Sequence, residues 1–231
     1  MKEKVTYHQD PKRVIYDRSH WTLLQRLRDE TYDIQQQLPC PSFVYGSVAR
    51  GDVHAGSDID IILFETIPSY HLELNLEYHS REIVQATPNA LIKAHIHMSD
   101  RVTITFPLVA MNDIERDFYR YSGCLASAGI PLGERVPGVS KKLVLVEPNE
   151  TGHMERSLMD DPHGCTRILG VSHDIIDERV RVLTRRDKVG RTGVFLRSDI
   201  PEDDSFEGTL KSIADSNNIV RRMLKQRGWS C

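Results

Sequence analysis

The sequence has few cysteines and no long apolar run. Its four cysteines, Cys40, Cys124, Cys165 and Cys231, show no CxxC spacing, which argues against a zinc knuckle or a disulfide framework and favours reduced thiols. No segment approaches the roughly 20 apolar residues that a membrane-spanning helix needs, and residues 1–12 lack the apolar core of a signal peptide. We therefore expect a cytoplasmic protein that makes no membrane contact.

Neither sign of charge dominates the chain. It has 30 Lys and Arg against 33 Asp and Glu, which gives a net charge of −3. Nucleic-acid binding through the overall charge of the protein is therefore not expected, although a local basic surface remains possible. The 231 residues are 39% hydrophobic and 27% charged, which is typical of a globular protein. A chain of this length can bury a core without disulfides or structural metal.

Hydrophobic periodicity and capping residues predict an α+β fold. A helix is expected from Ser19 to the stop at Pro39, and a final helix over 206–227. Between them the patterns predict short strands at 43–45 and 59–64, a hairpin of 94–98 with 102–106, a helix over 112–121 and a strand over 142–147. The stretch 69–91 is ambiguous between helix and strand. We expect domains at 1–138 and 139–231, joined by a segment rich in Gly and Pro.

A pair of aspartates, Asp58 and Asp60, lies at the start of the predicted strand 59–64. Because side chains alternate along a strand, Asp58 and Asp60 are expected on one face, with Ile59 and Ile61 on the other. Neighbouring carboxylates repel, and a cation between them keeps both ionised. Hard oxygen ligands at close spacing suit Mg²⁺ or Mn²⁺, which would bridge to substrate phosphates.

Ten residues separate this pair from a turn, Gly46-Ser47, that is suited to binding phosphate. Gly46 allows a close backbone approach, and Ser47 opens a helical turn whose free N–H groups favour anions. The hydroxyls of Ser47 and Ser57 and the guanidinium of Arg50 can add contacts to phosphate oxygens. Turn and carboxylate pair together predict a nucleoside-triphosphate site.

At these residues the chain resembles the DNA polymerase beta-like nucleotidyltransferase superfamily. The signature of that superfamily is a hydrophobic residue before Gly-Ser, a spacer of about ten residues, and Asp-hydrophobic-Asp, matched here by residues 45–47 and 58–60. The resemblance implies a mixed sheet backed by helices. It also implies a two-metal transfer of a nucleoside monophosphate from an NTP, with ATP expected, to the hydroxyl of an unknown acceptor. Over its whole length the chain resembles an uncharacterised archaeal group of predicted nucleotidyltransferases.

The third carboxylate that this superfamily normally supplies is missing. The strand that resembles the family's third one, 101–107, has Thr103 where an acid is expected. A hydroxyl is a weak neutral ligand and no base near pH 7. Three replacements stay open: Asp100 in the hairpin turn, His95 and His97 on the adjacent strand, or one of Glu77 and Glu82 from the ambiguous stretch.

The last third of the chain has the layout of a helix-turn-helix. Asp161 and Ser172 can cap its two helices, and residues 190–196 would form a wing, giving a winged-helix-like domain. Positive charge that could contact nucleic acid is concentrated there, on Arg179, Arg181, Arg185, Arg186, Lys188 and Arg191. A protein-contact role, including a homodimer, is equally open. The alternative function is a catalytically weakened nucleotide-binding regulator whose winged helix binds DNA.

Overall fold

The computed structural model describes residues 4–190 and 193–229. Contacts between these residues divide them into two compact units, each built from several segments of the chain. Unit 1 comprises the described residues of 1–35, 43–59 and 113–192, and unit 2 those of 36–42, 60–112 and 193–231.

Helices and strands are interspersed along the described residues, with several consecutive strands and two pairs of consecutive helices. In chain order they are β1 (Lys12–Ile15), α1 (Arg18–Gln35), β2 (Phe43–Tyr45), α2 (Ser47–Arg50), β3 (Ile59–Ile62), α3 (Tyr70–Glu73), β4 (Ser80–Gln85), β5 (Ile92–Ser99), β6 (Val102–Pro107), α4 (Asp113–Tyr121), β7 (Cys124–Ala126), β8 (Gly138–Val139), β9 (Val144–Asn149), β10 (Gly152–Ser157), α5 (Pro162–Leu169), α6 (His173–Val189), β11 (Leu196–Asp199), α7 (Phe206–Ser216) and α8 (Asn218–Gln226). The predicted α+β class is confirmed.

Unit 1 combines a four-stranded antiparallel sheet with helices. The sheet has the order β1-β10-β9-β8, and β2 pairs separately with β7. Its core joins α4, β8, β9, α5 and α6 through a cluster of buried side chains: Tyr121, Val139, Leu143, Leu145, Leu158, Cys165, Ile175, Ile176 and Leu183. The helix pair α5–α6 therefore belongs to the packed interior of this unit.

Unit 2 is built on the strands β11-β4-β5-β6, which are antiparallel neighbours in that order, with β3 next to β6. One face of this sheet is apolar: Ile83, Ala94, Ile96 and Ile104 are fully buried on it. Helix α7 covers the same face, since Phe206 meets Phe106 edge to face at a centroid distance of 5.2 Å. Directly opposite residues of antiparallel strands share a face, so the polar side chains collect on the other side.

Two parts of the secondary structure differ from expectation. The ambiguous stretch 69–91 contains both a short helix, α3, and a strand, β4. The predicted final helix is divided at Asn217, whose backbone is extended (φ −124°) and whose Oδ1 accepts the N–H groups of Ile219 and Val220 at 3.0 and 3.3 Å. An asparagine that caps a new helix in this way ends the preceding one.

The predicted winged helix is represented by its two helices. Asp161 caps α5 through a bond from the Gly164 N–H to its Oδ1 (2.8 Å), and Gly170 ends that helix in the left-handed region at φ +62°. Arg191 and Thr192 of the predicted wing lie outside the described residues, and β11, which follows, pairs with β4. The winged-helix fold and the boundary at 138/139 stay predictions; both compact units contain residues from either side of that boundary.

None of the helices in the described parts of the chain combines the length and the apolar character that crossing a bilayer requires.

Candidate active site

The Gly46–Ser47 turn has the conformation that the motif predicts. Gly46 lies at φ +85°, in the region that favours glycine, and its N–H donates to the carbonyl of Gly123 at 2.9 Å. A Cβ added at Gly46 would meet no atom within 4 Å. The backbone is therefore fixed by a bond on one side and faces open space on the side where a side chain would lie.

Two serines ten residues apart in the sequence meet beside this turn. Ser47 Oγ donates to Ser57 Oγ at 3.2 Å, and Ser57 Oγ also accepts the N–H of His54 at 2.9 Å. Ser57 is buried, whereas Ser47 is only half-buried. The structure thus brings together two hydroxyls that the sequence predicts to contact phosphate.

Arg50 is engaged within unit 1. Its guanidinium makes a two-pronged ion pair with Asp52, both bonds being 3.0 Å, and donates to the carbonyl of Ser122 at 2.6 Å. Its side chain is 7% exposed. These bonds, which use three of the five N–H groups of the guanidinium, hold α2 and the segment around Ser122 together.

Asp58 and Asp60 flank the start of β3 in the predicted alternating pattern. Asp58 is exposed and Asp60 half-buried, while Ile59 and Ile61 are 1% and 0% exposed. The burial of the two isoleucines agrees with the predicted alternation, in which the aspartates take the opposite side of the strand. Oxygen donors placed in this way fit a hard divalent cation.

Thr103, which stands where the superfamily has its third acid, is hydrogen-bonded to a histidine. Its Oγ1 lies 3.0 Å from Nδ1 of His97, its direct cross-strand neighbour on β5. The strand β6 that carries Thr103 lies next to β3, and the N–H of Leu63 donates to the carbonyl of Thr105 at 3.0 Å. The position expected for a carboxylate is thus occupied by a hydroxyl and an imidazole.

The structure joins three residues that the sequence offers as separate replacements for the missing acid. One carboxylate oxygen of Glu82 and one ring nitrogen each of His95 and His97 all lie within 4.8 Å of one another. Glu82 Oε1 is 3.1 Å from Nε2 of His97, and its Oε2 accepts Nε of Arg197 at 2.5 Å. These groups could hold a metal ion.

Their meeting follows from the strand register. Glu82 lies directly opposite His95, and His97 directly opposite Thr103. The His-x-His pattern on β5 signals that two imidazoles share a face, but nothing local in the sequence places Glu82 beside them. The other two alternatives do not join this cluster: Asp100 and Glu77 are both exposed, in the turn after β5 and in the loop before β4.

Burial alters the acid–base behaviour of His95. Desolvation, followed by the positive charge of Lys93 and the neighbouring His97 and Arg197, lowers the pKa of His95 to about 3. Its Nε2 is buried and has no hydrogen-bond partner among the residues that the structure describes. The ring is therefore neutral at physiological pH, and its Nε2 makes no hydrogen bond to the described residues.

The basic residues predicted to contact nucleic acid differ in exposure. Arg179 is half-buried, with its guanidinium carbon 5.1 Å from the centre of the Phe118 ring, and burial lowers its pKa. Four others are exposed: Arg181, Arg185, Arg186 and Lys188. The sixth basic residue of the predicted set, Arg191, lies outside the described residues.

Comparison with known proteins gives one match. Residues 27–109 match the family described as "Nucleotidyltransferase domain", and this range contains the Gly46–Ser47 turn, Asp58, Asp60 and Thr103. No curated protein and no solved structure matches the chain, and the archaeal resemblance stays a prediction. The match over residues 27–109 therefore supports the resemblance to the DNA polymerase beta-like nucleotidyltransferase superfamily that the Gly46-Ser47 and Asp58-x-Asp60 motifs carry.

Proposed function

We propose that the protein is a metal-dependent nucleotidyltransferase that moves a nucleoside monophosphate from an NTP to an acceptor hydroxyl. The observation that carries this proposal is the family match over 27–109, inside which Gly46-Ser47 and Asp58-x-Asp60 stand at the spacing of the superfamily signature. ATP as the donor, a cytoplasmic location and a homodimer remain predictions from the sequence.

In this proposal Asp58 and Asp60 hold Mg²⁺ or Mn²⁺. Their fit to a hard cation rests on the all-oxygen donor set and on its place on the polar side of β3, where Ile59 and Ile61 are buried behind it. Such an ion supplies charge neutralisation for the phosphates and for the leaving pyrophosphate. The two carboxylates fix where that charge is held.

Gly46, Ser47 and Ser57 are proposed to bind the polyphosphate. The open space at Gly46 admits a ligand close to the backbone, and the two serine hydroxyls, already 3.2 Å apart, can turn their protons towards phosphate oxygens. Arg50, through Asp52 and Ser122, keeps α2 in place behind this turn. These residues orient the NTP for reaction.

The chemical step is a displacement at the α-phosphorus. The acceptor oxygen forms a bond to that phosphorus while the bond from the phosphorus to the bridging oxygen of the β-phosphate breaks, and pyrophosphate leaves with that electron pair. The acceptor hydroxyl gives up its proton to a base. The hydroxyl of Thr103 cannot be this base near pH 7, which distinguishes the chain from the usual pattern of the superfamily.

A second candidate rests on the same residue. Thr103 supplies no negative charge and is hydrogen-bonded to His97, an arrangement compatible with a regulator that binds NTP and metal without turnover. In that case exposed basic side chains on α6, namely Arg181, Arg185, Arg186 and Lys188, would contact DNA. Retained NTP binding together with a DNA mobility shift and no transfer would favour this candidate.

The decisive experiment incubates the full chain with each α-³²P-labelled NTP, Mg²⁺ or Mn²⁺, and acceptors bearing hydroxyls: RNA, DNA, free nucleosides and Ser- or Tyr-containing peptides. We expect labelled acceptor and an equal amount of pyrophosphate. Asp58→Asn and Asp60→Asn should each lower the rate about a thousandfold or more, since a lost metal ligand removes several kcal/mol of transition-state stabilisation.

The matched control is Asp203→Asn, which removes an exposed aspartate from the loop before α7 and should leave the rate unchanged. Circular dichroism of all three variants checks that they fold. Full activity in Asp58→Asn or Asp60→Asn would reject the assignment of the carboxylate pair.

A further inference from the structure

Glu82, His95 and His97 have the geometry of ligands to a single ion. Ligand atoms at about 2.1 Å from a metal, at the angles of tetrahedral or octahedral coordination, stand about 3.0 to 3.4 Å apart. Glu82 Oε1 and His97 Nε2 are 3.1 Å apart, and a ring nitrogen of His95 completes a set that lies within 4.8 Å. Small side-chain rotations would place all three around one ion.

The unpartnered nitrogen of His95 is the second observation. A buried polar atom without a hydrogen bond is costly. Nε2 of His95 nevertheless has no partner among the described residues, although Glu82 is the residue directly opposite His95 in the sheet register. A metal ion would satisfy this nitrogen.

The remaining polar atoms of two of these side chains are held by neighbours. Nδ1 of His97 is bonded to the hydroxyl of Thr103 (3.0 Å), and Oε2 of Glu82 to the guanidinium of Arg197 (2.5 Å). Outer partners of this kind orient metal ligands. A threonine hydroxyl can donate or accept, so its bond survives when Nε2 of His97 exchanges its proton for a metal.

The charge of Arg197 opposes a cation, but its side chain is 67% exposed, so solvent screens this repulsion while its bond to Glu82 is kept. What remains is one buried carboxylate and two imidazoles. Nitrogen ligands select transition metals over Mg²⁺, and a two-histidine, one-carboxylate set is typical of Zn²⁺ and Fe²⁺ sites with open coordination positions.

We propose that Glu82, His95 and His97 bind a divalent transition metal, with Thr103 and Arg197 as outer partners. This ligand set is separate from the oxygen ligands proposed for Mg²⁺, so it stands or falls independently of nucleotidyl transfer. Thr103, which stands where the superfamily has its third acid, is an outer partner of this site through its bond to His97.

The test is a titration of the full, metal-stripped chain with Zn²⁺ alone, in the presence of excess Mg²⁺ to fill oxygen sites. We expect one Zn²⁺ that Mg²⁺ does not displace. His95→Phe and His97→Gln should each weaken its binding at least about tenfold, and Thr103→Val about 10- to 100-fold, which is typical of a lost outer partner. His95→Phe keeps the ring volume and costs the metal-free protein no Nε2 hydrogen bond.

Two controls make the titration specific. His153→Gln removes a buried histidine with the same kinds of partner, Tyr16 and Glu155, so it tests whether any disturbed histidine affects binding. The double variant His163→Gln/His173→Gln removes an exposed pair whose ring nitrogens are 3.2 Å apart. Both controls should keep the Mg²⁺-resistant Zn²⁺.

A spectrum with Co²⁺ in place of Zn²⁺ identifies the ligands. Visible d–d bands without sulfur charge transfer, absent in His95→Phe, would support the proposal. It is overturned by no Mg²⁺-resistant Zn²⁺ in the wild type, by binding that His95→Phe and His97→Gln leave intact, by loss of binding in the His163/His173 control, or by a thiolate spectrum.

Discussion

Each compact unit contains a hydrogen-bond chain that runs from a hydroxyl through an imidazole to a carboxylate, and these two hydrogen-bond chains can be compared atom by atom. In unit 1, which we call the buried chain, the Tyr16 hydroxyl lies 2.7 Å from Nδ1 of His153, and Nε2 of His153 lies 3.2 Å from Oε1 of Glu155. Because a carboxylate only accepts, Nε2 carries the proton and the tyrosine donates to Nδ1.

In unit 2, which we call the half-open chain, Thr103, His97 and Glu82 use the same atoms at 3.0 and 3.1 Å. The side chain of His97 is 26% exposed, whereas that of His153 is 4% exposed. The half-open chain also has a second imidazole, His95, beside it. The same hydrogen-bond pattern therefore has different surroundings in the two units. In unit 1 both nitrogens of its histidine are bonded, whereas in unit 2 the neighbouring His95 has a nitrogen, Nε2, without a partner among the described residues.

The largest difference between the chains should appear in stability when metal is removed. In EDTA, His153→Gln should lower the free energy of unfolding by about 3 kcal/mol, since it disturbs one buried and one part-buried hydrogen bond. His97→Gln should lower it by about 1 kcal/mol, because its side chain is 26% exposed and Glu82 keeps its bond to Arg197. Urea unfolding monitored by circular dichroism measures both; equal losses would mean that the chains are equivalent.

Removing the hydroxyls should give a smaller contrast in the same direction. Tyr16→Phe leaves Nδ1 of the buried His153 without its partner and should cost about 1 to 2 kcal/mol, and Thr103→Val about 0.5 to 1 kcal/mol. The same urea titration in EDTA provides the measurement. A greater loss in Thr103→Val than in Tyr16→Phe would show that the half-open chain supports the fold more than its exposure indicates.

The smallest expected effect is a change in acid stability. The hydrogen bond from His153 lowers the pKa of Glu155. A carboxyl whose folded pKa is lowered contributes stability above its unfolded pKa of about 4.5 and loses it as the pH falls through the folded value. Glu155→Gln should therefore lose less stability than the wild type between pH 6 and pH 3, by under about 1 kcal/mol.

His153→Gln supplies the control for this pH effect, because it removes the bond that lowers the pKa of Glu155. In that background Glu155→Gln should leave the slope of stability against pH unchanged. If Glu155→Gln alone already matches the wild-type slope, the bond to His153 does not influence the acid limb of stability.

Local patterns predicted much of the fold and part of the candidate site. The helix start at Asp161 and the strand before Gly46 depend on residues close in sequence, and they appear where expected. The division of the last helix at Asn217 was missed because the apolar stripe continues across it. The stretch 69–91 stayed ambiguous because its pairing partners, β5 and β11, lie elsewhere in the chain.

The sequence alone contains the motifs that resemble the nucleotidyltransferase signature, and side-chain alternation along a strand predicts that Asp58 and Asp60 share one side of β3. Only the tertiary structure decided that Arg50 binds Asp52 and Ser122 and that Glu82 meets His95 and His97. Strand order and register bring those atoms together, and they depend on how the whole chain packs its apolar faces.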